Sequence, residues 1–152
     1  MKVLIASEHA GYELKKHLNG RLREQGYEVC EAGALSSEPT DYPPISEAAA
    51  KQVVAGEAEL GIFICGTGIG VSIAASKVPG TIVGLCTNEY MAKMARAHND
   101  ANILCLGSRV IGVNLAEEIV DAFLRTPFDG GRHQRRVGQI REIEASYLAA
   151  PR

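Results

Sequence analysis

Four short, unbroken apolar segments constrain the fold of this chain more than any other feature. They are rich in β-branched residues, do not alternate with polar ones, and cover residues 3–6, 60–65, 81–86 and 103–106. Segments of this kind are typical of parallel strands that helices cover on both faces. The more polar segment 26–30 predicts a fifth strand, second in chain order and nearer an edge of the sheet.

Helical spacing fills the intervals between these segments. Leu14, Leu18 and Leu22 recur every four residues, and Gly26 is placed to end their helix. Asn114 is expected to cap a later helix, because asparagine is a favoured N-cap residue. Further helices are predicted around residues 45–56, 69–77, 91–95 and 132–148.

Strands and helices therefore alternate along the whole chain, which places it in the α/β class. We expect a single domain over residues 1–152, built as a three-layer αβα sandwich. Its centre is predicted to be a Rossmann-like parallel five-stranded sheet with helices on both faces. Residues 125–152 hold six arginines against three acidic residues, which suggests an anion site or a subunit contact in the last helix, 132–148.

Composition excludes several classes of protein. The 16 Lys and Arg against 18 Asp and Glu give a formal charge of −2, too balanced for a general binder of nucleic acid or membrane surfaces. No apolar run approaches the roughly 20 residues of a membrane span, and the first residues show no signal-peptide pattern. The four cysteines are scattered, which argues against a zinc site or a disulfide-rich secreted module. We expect a soluble cytoplasmic protein.

Reactive side chains follow the predicted strands. In open parallel sheets, ligands bind beyond the carboxyl ends of the strands, so residues that follow different strands meet at one edge. The sequence therefore predicts a site that combines a carboxylate, an imidazole, a thiol, a glycine-rich turn and a guanidinium. The residues concerned are Glu8 and His9, the turn 65–70, Thr87 and Asn88, and Ser108 and Arg109.

The turn over residues 65–70 (Cys-Gly-Thr-Gly-Ile-Gly) is the centre of this predicted site. Alternate glycines let the backbone approach a ligand closely, and the following helix points free N–H groups at it. The turn lacks both the GxGxxG spacing and the lysine of a P-loop, which favours a small anion or an enolate over a nucleotide. These donors would favour the thiolate of Cys65, unless Cys65 is simply a small buried residue.

Two further groups lie outside these loops in the sequence. Arg132 and Arg136 are four residues apart on one helix face, where a bound anion would offset their unfavourable position at a helix N-terminus. A solvated helix face is the alternative. His98 and Asn99 follow the fourth helix and belong to the opposite edge within one subunit. They either end that helix or serve the site of a neighbouring subunit.

Six segments together resemble the type B ribose-5-phosphate isomerase family, which also includes the galactose-6-phosphate isomerase subunits. The resemblance runs along nearly the whole chain. The segments are residues 8–11 (Glu-His-Ala-Gly), 41–43 (Asp-Tyr-Pro), 64–70, 98–100 (His-Asn-Asp), 107–109 and 130–137.

The resemblance implies an aldose–ketose isomerase that opens a sugar phosphate and needs no metal or other cofactor. Cys65 would move a proton between C2 and C1 through a cis-enediolate, and His98 would open the furanose ring. Thr67 and the backbone N–H groups of the turn would stabilise the enediolate. The turn residues concerned are Gly66, Gly68, Ile69 and Gly70.

The same resemblance assigns the remaining substrate contacts. Glu8, His9 and Asn99 would hold sugar hydroxyls. The phosphate would be bound by Arg109, Arg132 and Arg136. The family works as homodimers or dimers of dimers whose sites are shared between subunits, which gives His98 a role despite its position.

Two positions refine the expectation. A second branch of the family uses a glutamate in the turn as base, but the corresponding residue here is Val71, which leaves Cys65 as the base. Glu8 stands where the family typically has aspartate, so another sugar phosphate, such as galactose 6-phosphate or allose 6-phosphate, is an alternative substrate. A non-catalytic phosphate-binding module and a redox-active thiol are the alternatives from other classes.

Overall fold

One sheet of five parallel strands forms the centre of the molecule. The computed structural model describes residues 1–150, and in it the spatial order of the strands, numbered along the chain, is 2-1-3-5-4. The strands are β1 (Lys2–Ser7), β2 (Glu28–Gly33), β3 (Leu60–Cys65), β4 (Val83–Leu85) and β5 (Ile103–Gly107). The chain reverses its direction of winding between β1 and β3. The loops that follow these two strands therefore diverge and leave a crevice at their carboxyl ends.

Helices cover both faces of the sheet, as predicted. They are α1 (Tyr12–Glu24), α2 (Tyr42–Val54), α3 (Ile69–Ala75), α4 (Glu89–Asn99), α5 (Val113–Arg125) and α6 (Arg132–Leu148). One apolar core holds residues of α1, α4 and α5, and the other holds residues of α2 and α3. The predicted three-layer αβα sandwich is thus confirmed. None of the helices within residues 1–150 has the length and hydropathy that a membrane crossing requires.

Three details of the predicted elements were wrong. Strand β2 begins two residues later than expected, although it lies at an edge as predicted. Strand β4 is shorter than the apolar run 81–86, because the Thr81 hydroxyl donates to carbonyls of the preceding turn and keeps that residue out of the sheet. Asn114 lies inside α5, whose N-cap is Gly112 without a side-chain hydrogen bond.

The last helix leaves most of its apolar stripe uncovered. Val137 is buried, but Ile140, Ile143 and Tyr147 are 44%, 59% and 79% exposed. The Glu144 carboxylate accepts a hydrogen bond from the Gly80 N–H at 3.0 Å, which fixes the helix to the loop before β4. An exposed stripe on a helix that is held in place is typical of a surface that packs against another protein chain.

Candidate active site

A cleft of about 450 Å³ opens at the carboxyl ends of β1, β3 and β5. Eight of the predicted site residues line it, from all three loops that the strand order brings together. The lining residues are Glu8, His9, Ala10, Tyr42, Cys65, Gly66, Thr67, Ile69, Gly70, Ile73 and Arg109.

Cys65 is the last residue of β3 and lies at the base of this cleft. Its side chain is largely buried, and its Sγ accepts a hydrogen bond from the Gly68 N–H at 3.2 Å. Its carbonyl accepts from the Ser108 N–H at 2.9 Å, which joins the turn to the loop after β5. A backbone amide donor therefore lies directly against the sulfur at the base of the cleft.

Two of the other thiols have a different environment. Burial raises the pKa of Cys86 to about 11, and it also holds the pKa of Cys105 well above its ordinary value. Both thiols stay protonated at neutral pH and pack as small apolar side chains. Cys30 is half-buried on the edge strand β2. Among the four cysteines, Cys65 alone lines the cleft.

The turn after Cys65 depends on a glycine. Gly68 has a φ of +78°, and a Cβ at this position would lie 2.5 Å from Leu85 Cδ1 and 3.0 Å from the backbone of Leu106. Within residues 1–150, the backbone N–H groups of Gly66, Thr67 and Gly70 donate to no protein acceptor. The turn therefore presents free donors next to the sulfur, as an oxyanion site requires.

Substituting Gly68→Ala should destabilise the fold by about 2–4 kcal/mol, because the positive φ and the crowded backbone both oppose a side chain. Urea unfolding measures this loss. The matched control is Gly20→Ala in α1, where a Cβ meets nothing within 4 Å. This control should raise stability by about 0.5–1 kcal/mol. Equal effects of the two substitutions would contradict the packing of the turn.

Glu8 and His9 form one unit at the opposite wall. The buried Glu8 carboxylate accepts from the Gly11 N–H at 3.1 Å through Oε1, and its Oε2 lies 2.8 Å from His9 Nδ1. The His9 N–H donates to Thr40 Oγ1 at 3.1 Å. The longer glutamate side chain thus folds back onto its own loop, and the His9 ring is held at the cleft.

Arg109 provides a positive charge at the mouth of the cleft. Its backbone N–H donates to the Gly66 carbonyl at 2.9 Å, and a Cβ at Gly66 would lie 3.3 Å from its Nη1. The guanidinium thus lies over the glycine turn. In the part of the chain that the structure describes, it forms no ion pair with a carboxylate. It is therefore available to an anionic ligand.

Sequence reasoning missed Tyr42 and placed two residues incorrectly. Tyr42 begins α2, and its ring lies so close to Gly70 that a Cβ there would be 2.8 Å from the ring. The segment 41–43 contributed only to the family resemblance, and nothing else in it indicated a cleft residue. Thr87 and Asn88 do not line the cleft, because Asn88 instead caps α4 by accepting from the Met91 N–H at 2.9 Å.

The remaining predicted residues lie at the opposite edge of the sheet. His98 and Asn99 are the last residues of α4, and the cap is Asp100, with a φ of +50°. The His98 ring stacks on His133 of α6, next to the exposed Arg132 and Arg136. The helix α4 starts after the carboxyl end of β4 and ends before the amino end of β5. A single chain therefore does not bring His98, Asn99, Arg132 and Arg136 to Cys65.

Comparisons with known proteins agree with this architecture. Ribose-5-phosphate isomerase B of Escherichia coli is 47% identical over 94% of this chain and 96% of its own length. The solved structure of ribose-5-phosphate isomerase B from Clostridium thermocellum has a TM-score of 0.95 and 53% identity, covering 97% of this chain and 99% of the other.

A third relative has its ligand in place. The structure of ribose-5-phosphate isomerase B from Mycoplasma genitalium contains bound ribulose-5-phosphate. It has a TM-score of 0.90 and 40% identity, and covers 95% of this chain and 96% of the other. Residues 3–140 match the profile of the Ribose/Galactose Isomerase family. With nearly the whole chain matched, this protein belongs to the ribose/galactose isomerase family.

Proposed function

We propose that this protein interconverts ribose 5-phosphate and ribulose 5-phosphate. The observation that carries the proposal is the position of Cys65, whose sulfur lies in a cleft beside free backbone donors and the guanidinium of Arg109. A base, an oxyanion site and an anion-binding group are what an aldose–ketose isomerisation needs. The bound ribulose-5-phosphate of the Mycoplasma genitalium relative supports the choice of substrate.

The reaction follows from this arrangement. The Cys65 thiolate removes the C2 proton of the open aldose, and the electron pair forms the C1=C2 bond while negative charge collects on O1. The N–H groups of Gly66 and Gly70, with the Thr67 hydroxyl, stabilise that enediolate, as Gly68 and Ile69 shape the turn. The thiol then returns its proton to C1. The O2 hydroxyl proton moves to O1, and the C2 carbonyl of the ketose forms.

The other predicted residues complete the site from a neighbouring subunit, in a homodimer or a dimer of dimers. His98 transfers a proton between the C1 hydroxyl and the ring oxygen, which opens the furanose, and Asn99 binds a hydroxyl. Arg132 and Arg136 join Arg109 at the phosphate. The uncovered stripe of α6 described above supports this arrangement, since helix 132–148 has an apolar face to place against a partner.

Sugar selectivity is set in part by the wall formed by Glu8 and His9, which would contact hydroxyls of the opened sugar. Because the Glu8 carboxylate is drawn back onto its loop, the wall differs from one built with aspartate. Galactose 6-phosphate or allose 6-phosphate remains the second candidate on that ground. We also propose that the protein works in the cytoplasm, since a reducing compartment keeps a catalytic thiol free.

A coupled assay of the purified chain with four-, five- and six-carbon aldose phosphates tests the proposal. We expect the highest kcat/KM with ribose 5-phosphate, and unchanged activity after addition of a chelator. Ligand binding without isomerisation would instead indicate a phosphate-binding module. A requirement for a second, different chain would indicate a galactose-6-phosphate isomerase subunit.

Substituting Arg109→Gln should raise the KM for ribose 5-phosphate by about 10- to 100-fold, because a charge-assisted hydrogen bond contributes about 1.5–3 kcal/mol. The value of kcat should change much less. Steady-state kinetics with ribose 5-phosphate and with unphosphorylated ribose separate the two effects. The control is Lys16→Gln, which removes an equal charge from an exposed position on α1. An unchanged KM for Arg109→Gln would contradict its contact with phosphate.

A further inference from the structure

Two imidazole rings stack at the edge of the sheet opposite the cleft. The ring centroids of His98 in α4 and His133 in α6 are 4.1 Å apart, and the ring planes differ by 6°. His133 is buried, whereas His98 is half-buried. The Asp129 N–H donates to the Ala97 carbonyl at 3.0 Å, and this backbone contact holds the start of α6 against the end of α4.

A metal ion is the first role to consider for this cluster. One ligand atom each from His98, His133 and Asp129 lie within 4.8 Å of one another. Ring nitrogens bind a metal through lone pairs in the plane of the ring, and in stacked rings those lone pairs run side by side and do not converge. Arg132 and Arg136 also add positive charge around His133. The geometry thus favours a contact between the two rings over a cation site.

We propose that His133 is a positioning residue that holds the His98 ring in the orientation required for ring opening. The inference rests on the proposed function, in which His98 moves the proton between the C1 hydroxyl and the ring oxygen. A histidine in the last turn of a helix can adopt several rotamers. The flat face of His133 covers one face of the His98 ring and fixes its orientation, so that the nitrogen is aligned before substrate arrives.

The protonation state of His133 suits this role. Burial holds its pKa below the ordinary value, with added contributions from His98, Arg132 and Arg136, whereas Asp129 acts in the opposite direction. His133 is therefore neutral at neutral pH. A neutral ring can stack on His98 without charge repulsion, whichever protonation state His98 takes during proton transfer.

Substrate chemistry makes the inference testable. Ribose 5-phosphate is mainly a furanose and must be opened, but ribulose 5-phosphate has its O5 blocked by the phosphate and stays open. The ketose can therefore be isomerised to the open aldehyde, which closes in solution without the enzyme. A loss of His98 alignment should slow the reaction that starts from the aldose and spare the reaction that starts from the ketose.

The experiment compares His133→Ala, His133→Phe and His98→Asn in both directions. At enzyme concentrations where spontaneous opening of the furanose limits the supply of open aldose, we expect His133→Ala to lower the rate from ribose 5-phosphate by about 10- to 100-fold, the scale of a misplaced catalytic group. The rate from ribulose 5-phosphate should fall less than about 3-fold under the same conditions. His133→Phe restores a flat face and should recover most of the loss. Thermal unfolding of each variant checks that it is folded.

The outcomes separate the inference from the proposed function. Equal losses in both directions for His133→Ala, or a His133→Phe variant no better than His133→Ala, would overturn the positioning role. If His98→Asn itself lacks a directional difference, the assigned role of His98 fails and the inference fails with it. Absence of isomerase activity in the unmodified protein would refute the proposed function.

Discussion

Replacing Cys65 with alanine is expected to lower kcat for ribose 5-phosphate by about three to four orders of magnitude, the scale of a lost general base. The sulfur lies at the base of the cleft beside the free donors of the turn. The carboxylate of Glu8 also lines the cleft, but it is already engaged by Gly11 and His9 and therefore cannot replace the thiolate as base. Steady-state kinetics and exchange of the C2 proton with solvent deuterium measure the loss.

Binding and folding should survive this substitution. Cys65→Ala should still bind ribulose 5-phosphate, which calorimetry can measure, because its phosphate and hydroxyl contacts are unchanged. The matched control is Cys30→Ala on the edge strand β2, which should keep its activity. A Cys65→Ala enzyme that retained more than about a tenth of its turnover would refute the assignment of the base.

Mixing two inactive variants should restore activity, and this is the second large effect that we expect. In a shared site, a dimer of one Cys65→Ala chain and one His98→Asn chain has one site with both substitutions and one site with neither. Random assembly makes half of the dimers mixed, so activity should reach about a quarter of that of the unmodified protein. Co-refolding equal amounts of the variants, followed by assay with ribose 5-phosphate, measures the recovery.

The control for this experiment is a pair of variants whose substitutions affect residues that the same chain would contribute to a site. His98→Asn mixed with the double variant Arg132→Gln, Arg136→Gln should give no recovery, since neither mixed site is intact. Suppose that mixed dimers of Cys65→Ala and His98→Asn form but stay inactive. Each active site would then have to take both residues from one chain. That result would contradict the shared site.

Strand positions were predictable because burial on both faces leaves an unmistakable apolar run. The exceptions lie at the ends of elements, where local contacts rather than the apolar pattern decide the first residue. Thr81 is β-branched and continues the run that predicts β4. Its hydroxyl, however, donates to the carbonyls of Ala75 and Val78, and the strand begins after it. Asn114 has the chemistry of a cap, but the N-cap position is taken by Gly112, two residues earlier, and the helix begins at Val113.

The cleft was predictable from chain order, since residues that follow neighbouring parallel strands must meet. The family resemblance read from the six segments is confirmed by the comparisons. Tyr42 was missed because it lies at the start of a helix, whereas the prediction considered residues that directly follow strands. The stacking of His133 on His98 joins residues 35 positions apart, and such a contact between helix ends leaves no periodic signal in the sequence.

The division of the predicted site between opposite edges of the sheet has a consequence for the enzyme in dilute solution. A chain that holds the Cys65 group at one edge and the His98 group at the other contains parts of two sites. With the proposed shared site, turnover per chain would follow the association equilibrium, and specific activity would fall when the protein is diluted below the dissociation constant of its assembly. Sugar phosphate, which would contact both chains, opposes that loss by mass action, so substrate itself would help to hold the assembly together.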